Sequence, residues 1–372
     1  MRSFFYFTAF APACCQTRKR NNSDAEVILM EWRSIFCHSK QSKYMRYLLF
    51  ILPVLFFSCK NDNQSEKQPE TPQSENEVKT DQAELAYQYK AQLGEGALWD
   101  AATQRLYWID IFGKELHVFD PVTNTDKTYD TGSVVGTVVS VNDEKVMVAL
   151  VEGIFSIDLT TGAVELFSDT TDTEVPGRFN DGKVDPNGNF WVGSMPWDQE
   201  ARTGKLYKID GEGNATVMLT GIGISNGIVW TKDKSTMYYI DTKLNNVRAF
   251  DYDVATSTIS NERVVVEVPE ELGNPDGMAI DENDQLWIGL WDGGIVAHYD
   301  PKSGELLSKI EVPAHNVTSC AFGGENLDEL YITTATQDMT DEEIEKYPLA
   351  GSVFVVKPGV QGVKTAVFGK SN

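Results

Sequence analysis

Cysteine is scarce where a folded domain would need it. Of five in 372 residues, four stand at Cys14, Cys15, Cys37 and Cys59, and only Cys320 follows. No disulfide can therefore close within the chain beyond residue 59, and its closure must rest on strand pairing. Basic charge is also short, with 32 Lys and Arg against 55 Asp and Glu. The first 58 residues carry eight basic and three acidic side chains, a net of +5, so the chain-wide −23 leaves −28 for the rest. Such a balance argues against binding nucleic acid or an anionic lipid surface through a basic face. Helical periodicity is nearly missing; Asp341 to Lys346 is the one stretch that suggests a short helical turn. The apolar run Tyr47 to Phe57 is shorter than the roughly 20 residues of a membrane span. A Gly-x-Ser-x-Gly nucleophile elbow is not expected either, and without one a serine-hydrolase mechanism has no support.

What is present is a repeat. Leu106-Tyr107-Trp108-Ile109, Phe190-Trp191-Val192, Tyr238-Tyr239-Ile240, Leu286-Trp287-Ile288 and Leu330-Tyr331-Ile332 resemble one another, with Val146-Met147-Val148 a weaker member. Anchored on Trp108, Met147, Trp191, Tyr239, Trp287 and Tyr331, the units are 39, 44, 48, 48 and 44 residues apart. The units continue into a second alternating strand, which ends near an Asp-Pro or Asp-Gly step in Leu116 to Pro121, Leu206 to Gly211 and Val296 to Pro301. Period-two apolar alternation between Gly, Asn, Asp and Pro turns is strand chemistry. Six units of this length predict an all-β, six-bladed β-propeller of four-stranded blades. Ala86 to Gln92 is expected to complete the last blade beside Ser352 to Val356, covering an exposed edge. The recurring Trp and Tyr anchors are expected to pack between blades.

Four polar motifs share one phase of this repeat. Glu95 lies 13 residues before its anchor, Asn180 11, Asn226 13 and Asp276 11. Rotation about a propeller axis brings equivalent inner-strand positions together, so these side chains should converge on a central site. The matching windows in blades two and six, Val134-Val135-Gly136 and Thr318-Ser319-Cys320, offer no such set. Each motif alone is an ordinary turn dipeptide; together, two carboxylates and two carboxamides form a hard-oxygen site for Ca²⁺, Mg²⁺ or Mn²⁺, while Zn²⁺ usually recruits His or Cys. The Gly after each one permits a tight backbone.

From about Glu84 to Phe368 the chain resembles the SMP-30/gluconolactonase/regucalcin family of six-bladed lactonases. The resemblance is carried in order by Leu93-Gly94-Glu95-Gly96-Ala97-Leu98-Trp99, Arg178-Phe179-Asn180-Asp181-Gly182, Ser225-Asn226-Gly227, Pro275-Asp276-Gly277-Met278 and Thr318-Ser319-Cys320-Ala321-Phe322. It implies one divalent cation bound by Glu95, Asn226 and Asp276, with Ca²⁺ the expected ion and Zn²⁺, Mg²⁺ or Mn²⁺ as alternatives. Arg178 and Asn180 would contact a small-molecule sugar lactone, and Asp276 would double as general base for its hydrolysis to the aldonic acid. Two residues apart, Arg178 and Asn180 would point the same way from an extended strand. The alternative is a non-catalytic, metal-stabilised propeller that binds a ligand or protein partner.

Other residues draw plainer expectations. His117 and His298 are expected as structural or surface groups, Cys320 as a small packed residue, and His315 as a candidate substrate contact. Residues 45–58, a basic start, an apolar core and Ser58 before Cys59, have the form of a bacterial lipoprotein signal peptide. Cleavage and lipidation at Cys59 would place the protein in the cell envelope, on the periplasmic side or at the outer membrane, touching the membrane through this anchor alone. Residues 1–44 precede a plausible initiator, Met45, and are expected to be an overextended start or a disordered extension. Residues 59–83 are expected to be a disordered tether, and 84–370 the propeller.

Overall fold

The computed structural model describes residues 78–171 and 176–370. The extension 1–44, the signal-like segment, Cys59 and the tether as far as residue 77 lie outside these residues; everything below concerns the unit within Pro72–Asn372.

Six antiparallel sheets surround a central channel. They comprise residues 94–130, 135–168, 177–222, 225–267, 274–311 and 316–356, numbered here as blades one to six. In each, the first strand is innermost and lies against the innermost strands of the blades on either side, which closes the ring. The anchors sit on the second strands and are buried between blades, Trp108, Trp191 and Trp287 among them. Across the sheet, the third strand sets a nitrogenous side chain on the anchor ring: His117 stacks on Trp108 at 3.8 Å and His298 on Trp287 at 3.9 Å. In blade four Arg248 lies over Tyr239 at 5.3 Å. Both histidines are therefore structural, but they are buried rather than on the surface. The expected turn chemistry is visible in Asp120, Asp210 and Asp300, each accepting a backbone N–H from two residues on at 2.9 to 3.0 Å.

The ring closes with a strand from near the N-terminus. Glu84–Tyr87 pairs antiparallel with Val353–Val356 as the outer strand of blade six, a few residues earlier than the expected span from Ala86 to Gln92. Lys79–Gln82, inside the stretch expected to be tether, also forms a strand, parallel to Glu305–Glu311 at the outer edge of blade five. Regular structure thus starts before residue 84. At the other terminus, the segment after the last strand crosses one end of the channel. Gly362 N–H bonds to Leu327 in blade six, Val363 N–H to Ile280 in blade five, Phe368 N–H to Ser140 in blade two and Gly369 N–H to Gly188 in blade three. Among the described residues the one α-helix is Asp341–Lys346, where sequence periodicity placed it, opened by a Thr340–Glu343 capping box.

Candidate active site at one end of the channel

All six inner strands break register with their neighbour at the same level. The shifts fall between Glu95 and Leu98, Val135 and Thr137, Phe179 and Gly182, Ser225 and Ile228, Pro275 and Met278, and Val317 and Cys320. A bulge adds an unpaired residue and re-aims side chains. Asn180, Asn226 and Asp276 lie within these breaks and Glu95 at the edge of one, so the phased motifs face the axis. The glycines that follow have two different reasons. Gly96 adopts a left-handed φ of 63°. At Gly277, by contrast, an added Cβ would lie 2.6 Å from Ser319 Oγ, so close packing of adjacent inner strands requires the missing side chain.

Glu95, Arg178, Asn180, Asn226 and Asp276 are all buried and line a single cavity of about 480 Å³. Arg178 donates from Nη1 to Asn180 Oδ1 and to Phe179 O, so the pair does share a face of its strand. Asn180 Nδ2 donates to Asn226 Oδ1 at 3.1 Å and to Ser225 O at 2.7 Å. Asn226 Nδ2 donates to Thr242 Oγ1 at 2.8 Å, which in turn donates to Pro275 O. These bonds fix both carboxamides, with Asn180 Oδ1 turned to Arg178 and Asn226 Oδ1 to Asn180.

The electrostatics are those of a site short of positive charge. Burial, then the neighbouring Asp181, pushes Glu95 up to about 7. Burial, then Glu95 and Asp181, holds Asp276 well above the ordinary carboxylate range. Burial lowers Arg178 to about 10 despite Glu95 and Asp276. Asp181 is the residue that the sequence displayed without a role. It is 5% exposed; Oδ1 accepts from Gly182 N–H, whereas Oδ2 has no hydrogen-bond partner. Two buried carboxylates thus share one guanidinium, and a third, Asp181, is close enough to raise them both. Among the described residues no group of three or more His, Cys, Asp or Glu has metal-site spacing; the expected triad contains two carboxylates, its third oxygen coming from Asn226. Hard oxygen donors with excess negative charge fit a divalent cation held by Glu95, Asn226 and Asp276.

Two other candidates fall outside the site. His315 does not line the cavity: its Nε2 lies 3.3 Å from Glu343 and 3.5 Å from Asp292, and its ring stacks on Tyr347, so it braces the short helix beside the mouth. Cys320 is fully buried and donates to Trp287 O, and burial pushes its thiol up to about 12, as suits a packed residue. One literal Gly-x-Ser-x-Gly match does exist, Gly223 to Gly227, contrary to expectation. Ser225 is nonetheless no nucleophile: it lies buried at the start of a strand rather than on a strand-to-helix turn, and its Oγ accepts from Tyr239. The sequence pointed to none of the mouth residues that also line the cavity, among them Met195, Lys243, Glu270, Trp291 and Asp292. They come from the ends of second strands, from two short 3-10 turns and from a tight turn, with no shared motif.

The profile of the SMP-30/Gluconolactonase/LRE-like region family matches residues 93–336. YvrE of Bacillus subtilis, named as a candidate sugar lactone lactonase, is 36% identical over 279 residues, covering 75% of this chain and 96% of that protein. Pentonolactonase XacC of Haloferax volcanii is 37% identical over 249 residues, covering 66% and 82%. Among solved structures, a calcium-binding regucalcin from Agrobacterium tumefaciens aligns with a TM-score of 0.74 at 27% identity, covering 78% of this chain and 98% of that one.

Proposed function

The chain belongs to the SMP-30/gluconolactonase/LRE-like family, and on that premise we propose that it is a lactonase, hydrolysing a sugar lactone to the aldonic acid with the help of one divalent cation. The observation that carries this is the meeting of Glu95, Asn226 and Asp276 with the Arg178–Asn180 pair in one cavity of about 480 Å³, within the roughly 300–1,000 Å³ of small-molecule sites. A YvrE-like or pentonolactonase-like substrate range follows from the relatives' names.

Glu95, Asn226 and Asp276 would hold the cation, with Ca²⁺ the ion expected. When bound, it supplies a Lewis acid that polarises the lactone carbonyl and favours the ionised forms of the two acids. The chain's own residues do the rest. The Arg178 fork, fixed on Asn180 and buried, presents N–H donors to substrate oxygens. Asp276 accepts a proton from the water that adds to the carbonyl carbon. The ring C–O bond then breaks, and the departing oxygen takes that proton from Asp276 to become the free hydroxyl of the hydroxy acid, which restores the carboxylate.

A pH-stat assay on gluconolactone and a panel of pentono- and hexonolactones tests the proposal. Acid release should vanish with chelator and return with Ca²⁺. Cation-loaded protein that opens no lactone of the panel would sink it and leave the binding alternative. We also propose a lipid anchor at Cys59 in the cell envelope, supported by the Met45 to Cys59 pattern; palmitate labelling that persists in Cys59→Ser would rule it out.

A further inference from the structure

The far end of the same channel carries a second cavity, of about 120 Å³, roofed by the C-terminal segment at Val363 to Ala366. In a domain dominated by acids its lining contains four lysines, Lys183, Lys232, Lys234 and Lys364, and no Asp or Glu. Lys183 is the inner one. It stands on the inner strand of blade three, half-buried, and donates one of its three N–H groups to Met278 O at 2.8 Å. The buried Asp181 attracts it, while Asp181 Oδ2 has no hydrogen-bond partner. Lys232 is exposed at the rim, its ammonium 3.9 Å from Glu282, and Lys364 is exposed as well; Lys234 has a partner of its own. Trp230 also lines this cavity, and its indole N–H is buried without an acceptor. The remaining wall is small and apolar, with Ala97, Val229 and Ala279.

From this lining we infer a binding site for one small oxyanion, a sulfate-sized ion or the head of a small carboxylate, at the end of the channel opposite the candidate active site. Beyond its bond to Met278 O, Lys183 keeps two N–H groups to offer, and charge-assisted hydrogen bonds from such groups to an oxyanion are the strong kind. The volume lies below the roughly 300–1,000 Å³ of organic-ligand clefts, which limits the occupant to a small ion or headgroup. The backbone of residues 363–366 roofs the site, so an occupant would also join the terminal strap to the inner strand of blade three.

The test is calorimetric titration of the full-length, Ca²⁺-loaded protein with sulfate and, separately, acetate, with chloride holding ionic strength constant. One saturable site is expected for at least one of the two, and the stronger of them identifies tetrahedral or carboxylate chemistry. Affinity should fall about tenfold or more in Lys183→Met, the loss of a charged hydrogen-bond donor. It should fall severalfold in the rim double variant Lys232→Ala/Lys364→Ala, whose exposed positions leave the fold intact. Arg178→Gln, at the opposite end, should leave it unchanged. No saturable binding of either ion, or wild-type affinity in the rim variant, overturns the inference, as does loss of binding in Arg178→Gln.

Discussion

The two ends of the central channel are built from the same six inner strands and carry opposite charge. One is lined by Glu95, Glu270, Asp276, Asp292 and Asp338 against Arg178 and Lys243; the other by four lysines and no acid. A single strand serves both: Gly177–Val184 contributes Arg178 and Asn180 to the acidic end and Lys183 to the basic one. Asp181 lies between, close enough to raise Glu95 and Asp276 on one side and to feel Lys183 on the other. The propeller supplies symmetric positions. Which end does chemistry is decided by residue choice within a few positions of each register break.

That contrast can be broken most forcefully at Asp276. Asp276→Asn should lower lactone hydrolysis by about 10²–10⁴-fold, the worth of a general base, with further loss through the cation; a pH-stat rate close to wild type would remove it from the machinery. Gly277→Ala tests the packing that lets the inner strands meet at this level. Its new Cβ would sit 2.6 Å from Ser319 Oγ, and denaturant titration should show a loss of about 1–3 kcal/mol. An unchanged midpoint would mean the strands yield freely. Arg178→Lys keeps the charge but loses the fork, and should lower kcat/KM about tenfold; an equal value would reduce its role to charge alone.

A smaller effect is expected from pH. In the cation-free protein Glu95 sits at about 7 instead of its ordinary 4.5. The native state therefore keeps a proton that the unfolded chain gives up between those values. Native stability then falls as pH rises from about 4.5 to about 7. Thermal melts in chelator should show Tm dropping across this window, Ca²⁺ should reverse the drop, and Glu95→Gln should make it shallower, leaving the part that Asp276, also raised by burial, contributes in the same direction. A Tm that rises across the window instead would contradict the burial account. The smallest expected change is at the basic end, where Lys232→Ala/Lys364→Ala should leave lactone hydrolysis within about twofold, as for exposed substitutions generally. A large loss there would show that the two ends are not independent.

The repeat was legible because anchors such as Trp108, Trp191 and Trp287 fill the same inter-blade position and so recur at near-constant spacing. The site was legible for the same reason: Glu95, Asn180, Asn226 and Asp276 occupy one phase of that repeat. The register breaks were not, because a bulge is a property of pairing between two strands and leaves no mark on either alone. Asp181 was passed over because its neighbour Asn180 already filled the phase; only the break shows that both residues lie at the same level of the channel. His315 was misplaced because proximity in sequence to Thr318 says nothing about which side of the strand faces the axis. The lysine-lined end was illegible for a different reason. Its residues come from several strands and turns and from the terminal strap, with no common spacing.

The strand Lys79–Gln82 has a mechanical consequence. It runs parallel to the outer strand of blade five through four residue pairs, and the chain then turns through Ala83 to zip Glu84–Tyr87 onto blade six. A pull on the chain ahead of Lys79 would load the first ladder before any force reached the ring-closing pairs. The outer ladder is a fastener that can tear and re-form while the wheel behind it stays shut.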